Sequence, residues 1–518
     1  MNSHGHYSLI SPELAEAQRG GSELRIWEVE ASHLTIEHTL GTQIDFLRNG
    51  WSSWAPSTWW NTGRAPWRVW NNPARTLTAE DLATDNSSIH QSYMMTCLRL
   101  PGDSDTVLLI GRLDPASAII EFSLGAVSAH DIDGDSSSAH WLLCIGAELE
   151  ALNYYGAELA RRFPPAARRP KTREKILSGP RWSSWYSWFE EITEQGLAAE
   201  IEPAADSGYQ VFQIDDGWER SIGEWEPNGK FAHGMAHLAQ RIRACGMEAG
   251  IWLAPFIASA HAPIVAQHPE YFIHDEQGNL ARAGFNWGEY YFALDCTIPE
   301  VRAYIASVIS EVLSWGFTYF KLDFLNAAAI RGNRREAMPR EAAYRTGLAV
   351  IREAAPEAYI NASGAVLAPS LGLVDALRVG ADTAPYWDNT DRDRDPSGPS
   401  MRGALRNSLA RLWLKNAVAI DPDVAYVRTH GSLLSPEANA VTQDLARVCG
   451  TFSCSDPNSW LMPEQRAQVA ELCAEFRKEQ PPTVRQLSRY RFIVGRKDVD
   501  FEPWINPQGR ISDRLLVK

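Results

Sequence analysis

The chain has 518 residues, of which 45% are hydrophobic and 22% charged, and its formal net charge is −15. That length allows two or three domains, and the acidic balance disfavours nucleic acid and anionic membranes as partners. No apolar run reaches the roughly 18 residues that a membrane-spanning helix needs, and the first residues show no secretory signal. The seven cysteines are scattered and form no C-x-x-C pair, so we expect reduced thiols in a cytoplasmic protein.

Tryptophan is abundant and clustered, with 20 residues in the chain. One cluster comprises Trp51, Trp54, Trp59, Trp60, Trp67 and Trp70, and a second comprises Trp182, Trp185 and Trp188. Both lie in stretches rich in polar residues, glycine and proline, where a role as core filler is harder to argue. A flat indole face suits the C–H face of a sugar ring, so the clusters favour carbohydrate binding.

Residues 21–150 contain many short strand-like runs, such as LRIWEVE, TVLLIGRL and AIIEFSL. Gly, Asp, Asn and Ser separate these runs, a pattern that predicts an antiparallel β-sandwich. A short helix and a Pro/Arg-rich linker follow. We therefore assign residues 1–175 to an amino-terminal β-sandwich domain and its linker.

From residue 176 the pattern changes to eight apolar runs that alternate with amphipathic stretches. This alternation predicts a catalytic (β/α)8 TIM barrel over residues 176–478. The stretch between the fifth and sixth runs, AVLAPSLGLV, is too short for a full helix, so that unit must be degenerate. Residues 479–518 form a short β-type segment, including RYRFIVG, which is too small for a core of its own and must pack on the barrel.

Polar or aromatic side chains accompany seven of the eight barrel runs, where this fold carries its catalytic groups. They are Asp215 and Asp216 after the second run, Trp252 in the third, Lys321 and Asp323 at the end of the fourth, Asn361 and Ser363 at the fifth, Arg378 and Asp382 at the sixth, Asp421 and Asp423 at the seventh, and Ser455 and Asp456 at the eighth. One acidic strand end is often only a helix cap. So many around one ring indicate an active site.

The chemistry of this set is that of paired carboxylates. The sequence lacks metal-ligand spacing, a nucleotide-binding glycine loop and G-x-S-x-G, so we expect neither a metal nor a cofactor. One ionised and one protonated carboxyl suit the cleavage of a glycosidic bond. Lys321 should lower the pKa of Asp323 and make it the nucleophile, whereas the apolar neighbours of Asp382 should raise its pKa and make it the acid.

Structural roles remain open for each of these residues. Lys321 and Asp323 could form a buried ion pair. Asp382, or the pair Asp215 and Asp216, could cap a helix, and Trp252 could be an ordinary core residue.

Several motifs in order resemble glycoside hydrolase family 36, the α-galactosidase family of clan D. They are NGWSSW, QIDDGWE, HPEYFIHDEQGN, ALDCTIPEVRAYI, FTYFKLDFL and LRVGADTAPYW, and they cover residues from about 45 to 460. The resemblance implies a retaining α-galactosidase that forms a covalent galactosyl-aspartate on Asp323, with Asp382 as acid/base. Retention would need carboxyl groups about 5–5.5 Å apart.

The resemblance also implies the substrate contacts. In it, Asp215 and Asp216 accept hydrogen bonds from the galactose 4- and 6-hydroxyls, Trp218 and Trp252 wall the sugar, and Lys321 steadies the nucleophile. Arg378 lies near the acid/base, Asn361 and Ser363 belong to the loop after the fifth strand, and Trp54 closes one side of the pocket from the β-domain.

Two features depart from the family pattern. The loop NASGAV helps to decide what fits at the sugar 2-position, so the sequence also fits an α-N-acetylgalactosaminidase. The carboxy-terminal β-domain is short. A galactosyl transferase of the same family and a non-catalytic carbohydrate-binding barrel are two further functions that the sequence leaves open. The expected partner is an α-galactoside oligosaccharide, and the chain could form a homo-oligomer.

Overall fold

The computed structural model describes residues 4–8, 24–66, 89–101, 105–133, 138–389 and 398–505. The predicted cluster members Trp67 and Trp70 lie outside these ranges. Within the described ranges, no helix has the length and apolar character that crossing a membrane requires.

The amino-terminal part consists of two facing β-sheets. Its strands are β1 (His4–Ser8), β2 (Arg25–Ala31), β3 (His33–Glu37), β4 (Asp45–Arg48), β5 (Thr58–Asn61), β6 (His90–Tyr93), β7 (Met95–Arg99), β8 (Thr106–Arg112), β9 (Ala118–Ser123), β10 (Ala126–Asp131) and β11 (Ala139–Ala147). One sheet has the order β1-β3-β10-β9-β6 and the other β2-β11-β8-β7-β4-β5. The pairs are antiparallel except β1 with β3. The predicted β-sandwich is confirmed.

Alternation along the strands builds the core of this sandwich. In β2 the side chains of Trp27, Val29 and Ala31 face inward while the intervening Glu28 and Glu30 are exposed. Period-2 alternation of this kind places one face of a strand on the core and the other in water. Leu108, Ile110, Ile120 and Trp141 belong to the same buried cluster.

Two helices lead from the sandwich to the barrel, α1 (Glu148–Arg162) and α2 (Lys171–Leu177). A Cβ on Gly156 of α1 would lie 2.2 Å from the backbone oxygen of Trp413, so only glycine permits this close packing. The predicted domain boundary at residue 175 falls within α2. The division into three domains stays a prediction.

The barrel contains eight parallel strands. They are β12 (Arg181–Ser183), β13 (Val211–Ile214), β16 (Glu248–Leu253), β20 (Tyr319–Leu322), β21 (Tyr359–Ala362), β22 (Ala376–Arg378), β23 (Ala419–Asp421) and β24 (Ser453–Cys454). Neighbouring strands follow the order β23-β22-β21-β20-β16-β13-β12-β24. A hydrogen bond from Ala425 N to Ser453 O, 2.8 Å long, joins the chain after β23 to β24. The predicted barrel is confirmed, and each strand lies in its predicted run.

Helices and loop hairpins complete the barrel. The helices are α3 (Trp185–Trp188), α4 (Glu194–Asp206), α5 (Met235–Ala244), α6 (Pro263–Gln267), α7 (Pro299–Ser314), α8 (Arg340–Ala354), α9 (Leu367–Ser370), α10 (Met401–Ala410) and α11 (Pro436–Cys449). Between β13 and α5 lies the hairpin β14 (Glu219–Ser221) and β15 (Glu224–Pro227), and β16 is followed by the sheet β17 (Ile257–Ser259), β18 (Arg282–Asn286) and β19 (Glu289–Ala293). The single turn α9 is the degenerate fifth helix that the short AVLAPSLGLV stretch predicts.

The carboxy-terminal segment packs on both larger parts. After α12 (Pro463–Arg477) come the antiparallel strands β25 (Val484–Ser488), β26 (Arg491–Val494) and β27 (Lys497–Asp500) and the turn α13 (Glu502–Ile505). Arg489 forms two hydrogen bonds with Glu148 of α1, at 2.9 and 2.6 Å. Trp504 packs against Trp387, with ring centroids 4.8 Å apart. The segment therefore also supports the loop that carries Asp382.

Candidate active site

Asp323 directly follows β20 and is held by three groups at the barrel mouth. Its Oδ2 accepts a hydrogen bond from Trp252 Nε1 at 3.1 Å, and its Oδ1 accepts one from Phe324 N at 3.0 Å. The Lys321 ammonium lies 3.9 Å from Oδ2. The side chain retains 10% of its exposure, so the carboxylate is fixed in place and open at one side.

Burial raises the pKa of Asp323 above its ordinary value, against the opposing charge of Lys321. The charge of Asp382 raises this pKa further. Lys321 lowers this pKa as predicted, but the loss of hydration outweighs the ammonium, so the expected net lowering is wrong for the free protein.

The main partner of Lys321 is Asp215, with Nζ at 3.0 and 3.2 Å from the two carboxylate oxygens. The buried ion pair considered for Lys321 and Asp323 is present at 3.9 Å, but the contact of Lys321 with Asp215 is the shorter one. Asp215 is 1% exposed and also accepts a hydrogen bond from Gln213. The ammonium lies between two carboxylates, and its pKa is raised although burial alone would lower it.

Asp382 lies beyond β22 and is the more open of the two candidate carboxyls, with 35% of its side chain exposed. The Arg378 guanidinium donates to its Oδ1 at 2.6 Å. Burial alone would raise the pKa of Asp382, but Arg378 and Lys321 outweigh it and hold this pKa below its ordinary value. The predicted net rise of this pKa is therefore wrong, because the charge of Arg378, which the family resemblance places near the acid/base, outweighs burial and the apolar neighbours.

The helix-cap interpretations are also wrong. Asp215 and Asp216 are followed by β14 rather than by a helix. The described residues after Asp382 contain no helix before α10, whose cap is Ser400. None of these three acids caps a described helix.

Asp216 lies beside Asp215 and is 3% exposed. Its Oδ2 accepts a hydrogen bond from Trp287 Nε1 at 2.9 Å. Burial raises its pKa well above the ordinary value, and the nearby Glu219 adds to that effect.

Trp218 does not line the mouth. It is fully buried, packs its ring near Trp225 and Trp315, and donates from Nε1 to Trp252 O at 3.0 Å. The role implied for it as a sugar wall is therefore wrong. Trp252 is 2% exposed, and its indole N–H donates the hydrogen bond that holds Asp323.

A loop from the β-sandwich lies against the chain that follows β21. Trp54 Nε1 donates to Ser363 Oγ at 3.1 Å, and the Trp54 ring lies edge-on to Phe324 at 5.0 Å. The Ser363 hydroxyl in turn bonds to Asp323 and lowers its pKa. Ser53 N donates to Ala365 O at 2.8 Å, so the loop extends the edge of the barrel.

One buried guanidinium fixes that loop, which we call the NGWSSW loop (residues 49–54). Arg411 is fully buried and donates to the Asn49 side chain and to the backbone oxygens of Gly50, Ser52 and Ser53. A further bond reaches Val379 O, next to Arg378. Arg411 thus ties the sandwich loop to the strand that precedes Asp382.

Asn361 lies on β21 in register with Lys321 of β20. It is 2% exposed and donates to Asp421, which also accepts from Arg181 at 2.7 Å. The Asp456 carboxylate accepts from the backbone N–H groups of Val427 and Arg428. These groups belong to polar networks inside the barrel.

The sequence reasoning missed two contributors to the site. Trp287 lies at the tip of the β18–β19 hairpin. Tyr186 donates its hydroxyl to Asp423, the strand-end residue predicted at the seventh run, which lies 2.9 Å from Arg378. Trp287 and Gly288 have φ of 52° and 78°, as a two-residue hairpin turn requires, and the glycine at position 288 is the sequence signal that could have indicated this turn.

Strained backbone is concentrated here. Phe324 and Asp423 have φ of 54° and 79°, which non-glycine residues rarely adopt. Such residues cluster at functional sites when the surrounding structure enforces them. The described residues contain no group of three or more His, Cys, Asp or Glu side chains that could hold a metal ion.

Comparison with known proteins agrees with this geometry. The melibiase family model matches residues 160–355, which include Asp215, Lys321 and Asp323. An α-galactosidase from Thermus thermophilus, solved in complex with p-nitrophenyl α-D-galactopyranoside, is 36% identical with a TM-score of 0.83. The match covers 94% of this chain and 98% of that chain.

The chain belongs to the melibiase family. The predicted resemblance to glycoside hydrolase family 36, a family of hydrolytic enzymes, is confirmed. Within the melibiases, α-galactosidase AgaA of Geobacillus stearothermophilus is 28% identical over 185 residues, 33% of this chain and 24% of that protein. The A type blood α-D-galactosamine galactosaminidase of Flavonifractor plautii is 29% identical over 154 residues, 28% of this chain and 14% of that protein. The aligned part of the chain thus covers a quarter or less of these two curated melibiases.

Proposed function

We propose that this protein is a retaining α-galactosidase that hydrolyses terminal non-reducing α-galactosyl residues of oligosaccharides. The observation that carries the proposal is the pair of carboxyls, Asp323 after β20 and Asp382 after β22, which follow two strands at the same rim of one barrel. The Thermus thermophilus α-galactosidase, solved with an aryl α-galactoside and with stachyose, supports this substrate class.

In the proposed first step Asp323 attacks the anomeric carbon and forms a β-galactosyl ester. The hydrogen bonds from Trp252 and Phe324 fix the carboxylate, so little reorganisation is needed when it attacks. Lys321 lies between Asp215 and Asp323, and its positive charge favours the ionised nucleophile against the effect of burial.

Asp382 donates a proton to the leaving oxygen in the first step and accepts a proton from water in the second. Its exposed position lets it reach both the leaving oxygen and an incoming water. While Asp323 is ionised, its negative charge favours the protonated form of Asp382. Once Asp323 is esterified that charge is gone, and Arg378 and Lys321 favour the ionised form of Asp382, which can then act as base towards water.

Asp215 and Asp216 are proposed to read the galactose 4- and 6-hydroxyls, and Trp54 to close the pocket. Acceptors that match one arrangement of hydroxyl groups discriminate by a large factor against a sugar that leaves them without a hydrogen bond.

The seven cysteines are all unpaired, which supports the cytoplasmic location that we also propose.

The second candidate function is that of an α-N-acetylgalactosaminidase, which the name of the Flavonifractor plautii relative suggests. A Cβ on Gly364 would lie 3.1 Å from the Trp54 ring, so the loop after β21, which helps to decide what fits at the sugar 2-position, packs closely on Trp54. Aryl α-galactoside and aryl N-acetyl-α-galactosaminide, assayed side by side, would separate the two.

The direct test is the Asp323→Gly variant on p-nitrophenyl α-galactoside. We expect turnover to fall by at least about 10⁴-fold, because the covalent route is lost, and azide to restore release of nitrophenol with β-galactosyl azide as product. Asp206→Asn, an exposed change at the end of α4, serves as control. Nuclear magnetic resonance of the wild-type reaction should show the α-anomer as the first galactose released. Unchanged turnover in Asp323→Gly, or the β-anomer first, would refute the proposal.

A further inference from the structure

A second buried carboxyl lies against Asp216. Glu219 is 7% exposed, and its carboxyl is in hydrogen-bond contact with that of Asp216, which is 3% exposed. Two ionised carboxylates in contact in a buried site repel each other, and a hydrogen bond between them requires one proton. The pair therefore holds a single proton between two acids.

The surroundings of the two acids differ and indicate where the proton lies. The Glu219 carboxylate is approached by the backbone N–H groups of Gly217, Trp218 and Glu219 itself, which favour its ionised form. Gly217 N lies 3.3 Å from Glu219 Oε2. Asp216 Oδ2 accepts the Trp287 indole N–H, but Oδ1 accepts from no donor among the described residues. The proton thus belongs on Asp216, with Glu219 as its acceptor.

The other charged groups near Asp216 and Glu219 are already paired or exposed, so they do not neutralise the two acids in place of this proton. Asp215 at the end of β13 adds negative charge but is neutralised by Lys321. Arg220 and Glu224 of the β14–β15 hairpin pair with each other at 2.7 Å, and Arg220 is half exposed. The turn at Gly217 packs on the backbone of Glu190, whose side chain is exposed.

We propose that Glu219 is a positioning residue that shares one proton with Asp216 and keeps Asp216 a neutral, oriented acceptor for a galactose hydroxyl. This inference rests on the proposed function for its substrate. The shared proton fixes the plane of the Asp216 carboxyl, so that its Oδ2 accepts hydrogen bonds from both the Trp287 indole and the sugar hydroxyl. It also keeps one negative charge out of a pocket that already holds Asp215 and Asp323.

Infrared difference spectroscopy tests the proton without any substrate. The protein at neutral pH should show a protonated-carboxyl C=O band that both Glu219→Gln and Asp216→Asn abolish, because the amide then donates to a carboxylate. Other buried acids are common to the wild type and the variants and cancel in the difference. Glu226→Gln, on an exposed side chain of β15, should leave the band unchanged. Persistence of the band in Glu219→Gln would overturn the inference, whatever the substrate is.

Galactose binding tests the consequence. Above the titration of the pair, the dissociation constant of the wild type should rise about tenfold per pH unit, as loss of one linked proton requires. Glu219→Gln should remove this dependence, because its amide donor does not titrate, and Glu219→Leu should bind weakly at neutral pH as well. Equal pH dependence in the wild type and Glu219→Gln would overturn the inference. Thermal unfolding of each variant reports whether it is folded.

Discussion

Glu200 should weaken the folded protein at neutral and alkaline pH, and Glu200→Gln should relieve that effect. The side chain lies on α4, is 6% exposed, and accepts a hydrogen bond from Asn458 N at 2.8 Å. Burial raises the pKa of Glu200 from 4.5 to about 7, and the Asn458 N–H opposes this only in part. The folded chain therefore keeps a proton that the unfolded chain has lost between these pH values.

The sign follows from proton linkage. Because the folded state binds more protons, the free energy of unfolding falls as pH rises from 4.5 to about 7 and then levels off. At about 1.4 kcal/mol per pKa unit, the loss is on the order of 3 kcal/mol. Gln cannot ionise, and its carbonyl oxygen still accepts from Asn458, so the variant should gain most of this free energy at about pH 8 and little at about pH 5.

Urea unfolding at these two pH values measures the difference between wild type and Glu200→Gln. Glu202→Gln is the matched control, since Glu202 is exposed on the same helix, and it should change stability by less than about 0.5 kcal/mol at either pH. A gain of the same size at both pH values, or a loss at pH 8, would refute the reasoning, because neither can come from the titration of Glu200.

Two further predictions concern the site. Arg411→Met should lower the stability by about 3–5 kcal/mol, because five buried oxygen atoms lose their donor at about 1 kcal/mol or more each. It should also raise KM, because the NGWSSW loop and Trp54 lose their anchor, and the exposed change Arg331→Met should do neither. Trp252→Phe removes the indole N–H that donates to Asp323, and it should lower kcat on an aryl α-galactoside about 10- to 100-fold, the equivalent of one hydrogen bond to a charged group. The change in KM should be smaller. An unchanged kcat would mean that the indole N–H does not hold Asp323 for attack.

The paired acids and the aromatic environment were visible in the sequence, but their protonation was not. Asp323 and Asp382 could be placed at one barrel mouth because parallel strands end at one rim. The directions of their pKa shifts came out opposite to prediction, because each depends on hydration and on partners that local patterns do not reveal. Arg378 proved decisive for Asp382, and burial decisive for Asp323.

What the sequence alone determined is the order of elements and the identity of the strand-end residues, since hydrophobic periodicity and strand-end polarity are local properties of the chain. The tertiary structure alone decided that Trp218 is core, that Trp287 reaches Asp216, and that Lys321 pairs first with Asp215. Those facts depend on which side chains meet after the barrel and its loops fold, and a distance between residues about 70 or 100 positions apart is not written in any local pattern.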